Sequence, residues 1–320
     1  MSADSPSASG NLYALELHQD TCYGIGEQRY MASMLFKQLL GAHKAVIFLM
    51  GFLCLYGSSI ATADTLPEGE VVSLSDNPSS GNLFAAYTRA LYRLDTESQE
   101  WVSISIPDSV ERITAVVAEG TGAIYLAAPG TGILHSEDGG KSWDLRNEGL
   151  SSKEVSGLIR HAKQPGTLYA LIPEVGIFRS EDAGKEWLLM DGGPDHMTDI
   201  MIHSDMPDSM QTGWIFAATK AGVSRSMDCF CLWREAGTLT GEIAGLTFDP
   251  KQPSHIYAAT KEGIFRSQNG GEDWEPIGST KTDLTALLFT ASGGLYAGTR
   301  NGELFRGRDQ AKTWERLDVF

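Results

Sequence analysis

Residues 248–278 read FDPKQPSHIYAATKEGIFRSQNGGEDWEPIG. Asp249-Pro250 and Gln252-Pro253 signal a turn, Ile256 to Thr260 a strand and Ile264 to Ser267 a second strand; Gly270-Gly271 then turns the chain tightly and Trp274 opens a third strand. The kernel is the spacing Ser267-x-Asn269-x-Gly271-x-x-Trp274, and the chain repeats it. Ser136, Asp138, Gly140 and Trp143 form one copy, and Ser180, Asp182, Gly184 and Trp187 form another. Ser226, Asp228 and Trp233 keep a degraded copy around Cys229 and Cys231, Asp309 and Trp314 keep a second, and the stretch after Leu94 keeps little more than Trp101.

Turn chemistry accounts for the residue types. A chain that reverses within a few residues needs its backbone N–H groups satisfied and one residue at positive φ; an Asp or Asn side chain accepts the first, and Gly supplies the second. The Trp leaves the turn with an apolar face to bury. Tryptophans 101, 143, 187, 233, 274 and 314 recur at intervals of 42, 44, 46, 41 and 40, a period typical of propellers and arrays. Phe84, Tyr125, Tyr169, Phe216, Tyr257 and Tyr296 hold equivalent places in six units. An apolar strand precedes each of them, so each unit is expected to hold four strands, A to D, with the Ser-x-Asp turn between C and D. The expected fold is all-β: a six-bladed β-propeller of four-stranded antiparallel blades. A seventh blade would have to come from residues 1–63. The first unit begins on strand A and the last ends on strand D, so closure is expected from face packing without strand exchange.

These residues resemble the Asp-box, or BNR, repeat family, which includes sialidases, sortilin-type receptors, xyloglucan-cleaving hydrolases and photosystem II assembly factor propellers. The resemblance covers about residues 71–320. It speaks to fold more than to function, because enzymes and non-enzymes share the turn. For a sialidase it would imply a Phe-Arg-Ile-Pro-like motif before the first box, an arginine triad and a Tyr/Glu nucleophile pair. The chain has no arginine between Arg29 and Arg89. Arg93, Arg179, Arg225, Arg266 and Arg306 instead occur at most once per unit, the pattern of packing or rim ion-pair residues.

The chain has 320 residues and a formal charge of −16, which gives no broad attraction for nucleic acid or an anionic membrane. Lys37, His43 and Lys44 precede an apolar run from Ala45 to Tyr56, shorter than the ~20 residues that span a bilayer. Ala61-Thr62-Ala63 follows as a small-residue cleavage site. Residues 1–63 therefore read as an N-terminal extension and signal peptide, with Met31 and Met34 as alternative starts, and residues 64–320 as an exported propeller, periplasmic or extracellular. If uncleaved, the apolar segment is the only membrane contact expected. Cys229 and Cys231 are too close for an unstrained bridge and read as small turn residues. No cofactor and no metal are expected.

Nucleophile elbows, zinc-protease helices and phosphate loops are absent from the sequence. Asp191, Asp195, Asp199, Asp205 and Asp208, with His196 and His203, read as a solvated loop. One asymmetry stands out at the B-to-C turns, where Arg89, Lys220, Lys261 and Arg300 fall in four contiguous units while Pro129 and Pro173 occupy the other two. Together these features point to a non-catalytic binding propeller whose partner is a protein, or an anionic or glycan ligand, met on that face. The alternative is a carbohydrate-active enzyme, a glycoside hydrolase on a sialidase-like fold. Hydrolysis would require two carboxylates about 5–10 Å apart in the central cleft.

Overall fold

In the computed structural model the described residues are 69–320, apart from 96–97, 208, 210–212, 228–229, 231, 280–281, 310 and 319–320. The expected signal segment and cleavage site, Asp228, Cys229 and Cys231 lie outside them. Six segments of the pattern Leu-Phe-Ala-Ala-Tyr or Leu-Tyr-Ala-Leu-Ile form B strands that are buried almost throughout. A strand buried on both faces must lie between two other sheets.

Blade I comprises strands A to D at Val71–Asp76, Leu83–Tyr87, Ala90–Leu94 and Trp101–Ile104; blade II has Ala115–Ala118, Ile124–Ala128, Gly132–Ser136 and Asp144–Leu145. Blade III has Gly157–Arg160, Leu168–Ile172, Gly176–Ser180 and Leu188–Asp191; blade IV has Met197–Ser204, Trp214–Thr219, Gly222–Ser226 and Trp233–Thr240. Blade V has Ile243–Asp249, Gln252–Thr260, Gly263–Ser267 and Glu275–Gly278; blade VI has Leu284–Phe289, Leu295–Thr299, Leu304–Arg308 and Thr313–Leu317. Every sheet is an antiparallel A-B-C-D meander. Each A strand touches the A strands of the two adjacent blades, and that of blade VI touches that of blade I, so the ring is closed.

Side-chain alternation along the B strands builds six separate cores, one per blade interface. Phe84 and Ala86 face blade II, while Ala85 and Tyr87 face blade VI. The closing interface uses no exchanged strand. Val71 packs where a Cβ on Gly298 would overlap it, so the close approach requires glycine at 298. Tyr87 Oη donates to Gly302 O at 3.1 Å and Thr285 Oγ1 to Val71 O at 2.7 Å.

The turn forms at the first of the two expected signals, Asp249-Pro250, and Gln252-Pro253 already lie in strand B. Strands A and B of blade V pair Asp249 with Gln252 and then Phe248 with Ile256, so residues 253–255 bulge out of the ladder. Asp249 Oδ1 accepts from Lys251 N at 2.8 Å. Pro253, which has no N–H, is tolerated because the bulge needs none there.

In the C-to-D turn of blade II, Ser136 Oγ accepts from Gly140 N at 2.8 Å and donates to Asp138 Oδ1 at 2.8 Å, and that oxygen accepts from Lys141 N and Ser142 N, each at 2.9 Å. Hydrogen bonds from the Ser142 hydroxyl and backbone hold the Asp138 carboxyl well below the usual carboxylate range. Blades III and V repeat the Ser-to-glycine bond through Ser180 to Gly184 and Ser267 to Gly271. Where blade IV has Phe230 in the glycine position, Ser226 Oγ still accepts from Phe230 N at 3.0 Å with φ at 74°. Blade VI puts Ala311 there at φ 67° beside Asp309 at 49°.

Each tryptophan of these turns reaches the preceding blade. Trp143 Nε1 donates to Ser105 O, Trp187 to Arg146 O and Trp274 to Ala236 O, at 2.8–2.9 Å. Trp233 reaches the Asp191 carboxylate at 3.0 Å. Trp187 is 1% exposed, as its turn leads one to expect, whereas Trp143 and Trp274, for which the same substantial burial is expected, are only half-buried, as are Trp233 and Trp314. They sit at the outer rim, where only one neighbouring blade covers each ring. The strand-C arginines make rim contacts: Arg179 pairs with Glu181 at 3.0 Å, Arg225 with Glu272 at 3.3 Å and Arg266 with Glu275, while Arg306 stacks over Tyr296.

Candidate functional site

A meander of four strands puts the A–B and C–D turns at one end of every blade and the B–C turns at the other. The six A strands surround a channel enclosing about 180 Å³. An inner strand has one edge without a ladder partner, and its N–H groups need acceptors. Hydroxyls of the neighbouring blade supply some of them: Ser73 Oγ accepts from Val116 N, Ser75 Oγ from Ala118 N and Thr247 Oγ1 from Phe289 N, at 2.8–3.1 Å.

At the A–B mouth the turns link from blade to blade. Asn77 Nδ2 donates to Glu119 O at 2.7 Å, Gly166 N to the Glu119 carboxylate at 2.9 Å and Ala162 N to His203 Nδ1 at 3.2 Å. Ser204 Oγ donates to Pro253 O, and Ala291 N to Asp76 Oδ2, each at 2.7 Å. The remaining oxygen of Asp76 accepts from Arg160 at 3.2 Å, an ion pair that spans the mouth from blade I to blade III. Asp76 is 2% exposed and both its oxygens are occupied.

Burial raises the pKa of Glu119, against the Gly166 N–H and the Arg160 charge that lower it. At the interface of blades III and IV, His161 and His203 touch with ring centroids 3.8 Å apart and planes tilted by 33°, and Tyr169 lies parallel to His203. Burial pushes His203 down to about 3 and lowers His161. Of the acidic and histidine run expected to be a solvated loop, His203 is therefore core, and Asp191 is tied to Gly193 N and Trp233. Asp208 lies outside the described residues. Among the described residues no cluster of His, Cys, Asp and Glu is arranged to hold a metal ion.

The channel-lining carboxylates are Asp76 and Asp199. Strand registers set Asp76 level with His203, four residues beyond Asp199. At about 3.3 Å per residue this separates their levels by on the order of 10 Å. They also come from blades I and IV, which face each other across the ring. The channel thus does not bring these two within the roughly 5–10 Å of a hydrolytic pair.

Arg89, Lys220, Lys261 and Arg300 all emerge at the B–C end and are exposed. The contact between blades VI and I makes their four blades contiguous. Arg300 pairs with Glu70 at 3.1 Å across the closing interface. Glu70, Asp195, Glu242, Glu262, Asp283 and Glu303 stand in the turns and connections of the same end, so the cations are set among carboxylates. Sequence reading found these cations but missed Asp76, Glu119, Arg160 and the His161–His203 pair. Their only trace in the sequence is a polar residue at or just past the end of an otherwise apolar A strand.

No protein-family model matches the chain, and no curated protein does. Solved structures match it. The GH74 enzyme of Niastella koreensis shares 14% identity at a TM-score of 0.55, covering 76% of this chain and 46% of that one. YCF48 from Cyanidioschyzon merolae shares 16% identity at a TM-score of 0.50, covering 80% of this chain and 87% of that one. YCF48 bound to a D1 peptide shares 16% identity at 0.50, covering 74% and 77%. The chain spans about half the length of the GH74 enzyme it matches. At these identities the shared feature is the fold, and the chain is similar to both kinds of propeller in its ring of four-stranded blades.

Proposed function

We propose that this chain is an exported, non-catalytic propeller of Asp-box repeats that binds a protein partner on its B–C turn face. The observation that carries the reading is the set of exposed cations there, Arg89, Lys220, Lys261 and Arg300, interleaved with carboxylates. Mixed charge at short spacing suits a protein surface with its own alternating charges better than a polyanion or a neutral glycan. The likeness to a propeller solved with a peptide bound, YCF48 with D1, is in keeping with it.

The test is capture of partners from an envelope extract by the wild type, by Lys220→Ser/Lys261→Ser/Arg300→Ser and by an Arg179→Ser/Arg266→Ser control at the opposite end. The triple variant should lose the partner while the control keeps it, and the wild-type interaction should weaken in raised salt because exposed charges are screened beyond about 8–10 Å. Equal capture by all three proteins would remove the cations from the mechanism.

A carbohydrate-active enzyme is the second reading, favoured by the likeness to the GH74 fold. Sugar release from xyloglucan by the purified chain, abolished by Asp199→Asn, would establish it and displace the non-catalytic reading.

A further inference from the structure

The A–B turn of blade III, residues 161–167, sits at the channel mouth, next to Arg160 and carrying Ala162 into the channel wall. Its backbone amides are held from two sides by imidazoles. Lys163 N and Gln164 N donate to His161 Nδ1, each at 3.0 Å, and Ala162 N donates to His203 Nδ1 of blade IV at 3.2 Å. Both imidazoles act through an unprotonated Nδ1, so each must carry its proton on Nε2. The two rings are in contact, tilted by 33°, and 3% and 4% exposed. The other blade-to-blade links described at this mouth end on a main-chain oxygen or a carboxylate. Among the described residues, the junction of blades III and IV is the one held through neutral imidazoles.

We propose that the blade III turn 161–167 is a proton-released latch: protonation of the His161–His203 pair turns two acceptors into donors facing the amides they hold, and the turn detaches from blade IV to open the channel mouth. The charged and titratable groups around the pair, among the described residues, are Asp205 and Arg179 near His161, with Lys163 bridging to Asp205 at 3.7 Å, and Tyr169 against both rings. Asp205 favours protonation of His161, Arg179 opposes it, and burial opposes it most.

The sign follows from linkage. Both histidines have folded values below the ordinary one, so the latched state binds fewer protons than the open state and is favoured at neutral pH. Latching is complete above about pH 6.5 and is lost as pH falls toward the folded values. Glu119, on the other side of the turn, has a raised value and works in the opposite direction: its protonation favours the state in which it is buried, so it does not drive opening. For one histidine that stays neutral when latched, opening becomes roughly 25-fold more favourable between pH 7 and pH 5.

Hydrogen–deuterium exchange of the full chain, with exchange times scaled for the chemical rate, measures this directly. The amides of 162–164, 166 and 167 should lose protection at least tenfold between pH 7 and pH 5, while the blade VI turn 290–294 keeps its own. In His161→Asn/His203→Asn, Asn Oδ1 stands where Nδ1 stood and does not titrate, and the difference between the two pH values should vanish. Should that variant not fold, the wild-type comparison decides alone. Unchanged protection of these amides in the wild type overturns the latch, as does an equal loss in the blade VI turn or a pH response that survives in the folded double variant.

Discussion

Removing the indole of Trp187 tests whether the C-to-D turns hold the blades together. Its ring lies in the core between blades II and III with Phe178, Ile133 and Tyr125, at 1% exposure. Its Nε1 donates to Arg146 O of blade II at 2.8 Å, while the backbone bond from Trp187 N to Glu148 O survives a side-chain change. Trp187→Ala loses the buried ring and leaves a cavity, which costs about 3–5 kcal/mol. It also leaves a carbonyl without its donor, at about 1 kcal/mol. The expected total is about 4–6 kcal/mol. With a guanidinium chloride m-value of roughly 5 kcal/mol/M for a chain of this size, the unfolding midpoint falls by about 1 M. Trp143→Ala removes a half-buried ring with an equivalent bond to Ser105 O and should cost about half as much. Leu188→Ala, one residue along but 62% exposed, should change stability by less than about 0.5 kcal/mol. Coincident midpoints for Trp187→Ala and wild type, or an equal loss in Leu188→Ala, would refute the interlock.

Three further outcomes follow from the same geometry. Ser136→Ala strands the Gly140 amide in a buried turn, and thermal unfolding should show a loss of about 1–3 kcal/mol. Asp76→Asn keeps an acceptor for Ala291 N but removes the charge facing Arg160; because that guanidinium is a quarter exposed, a loss near 2–3 kcal/mol is expected from denaturant titration, below the roughly 3–5 kcal/mol of a fully buried pair. If residues 1–63 are the proposed signal segment, mass spectrometry of the expressed protein should find its N-terminus at Asp64, and an intact apolar segment in the membrane fraction would contradict that processing.

The sequence by itself determined everything that depends on near neighbours. The Ser-x-Asp-x-Gly spacing specifies its own turn because donor and acceptor lie within four residues, as Ser136 to Gly140 shows. Blade number followed from the forty-residue period, and closure without strand exchange from where the first and last units begin and end. The placement of Arg89, Lys220, Lys261 and Arg300 at one end required only the count of strands between turns. Even the degraded turns were legible as turns, although Phe230 and Ala311 at positive φ show that the ring tolerates a strained backbone where the local signal has faded.

The tertiary structure decided what depends on blades meeting. Asp76 finds Arg160 at a separation of 84 residues and Ala291 at 215, and no local pattern encodes either partner. His203 sits in a run of polar residues that reads as solvated, yet the packing of blade III against blade IV buries it on His161. The repeats make the six A strands nearly interchangeable by hydrophobic pattern, so the residues at and just beyond their ends carry no sequence signal of their own. Their chemistry is set by which side chain the neighbouring blade brings within a few ångströms, and only ring closure fixes that.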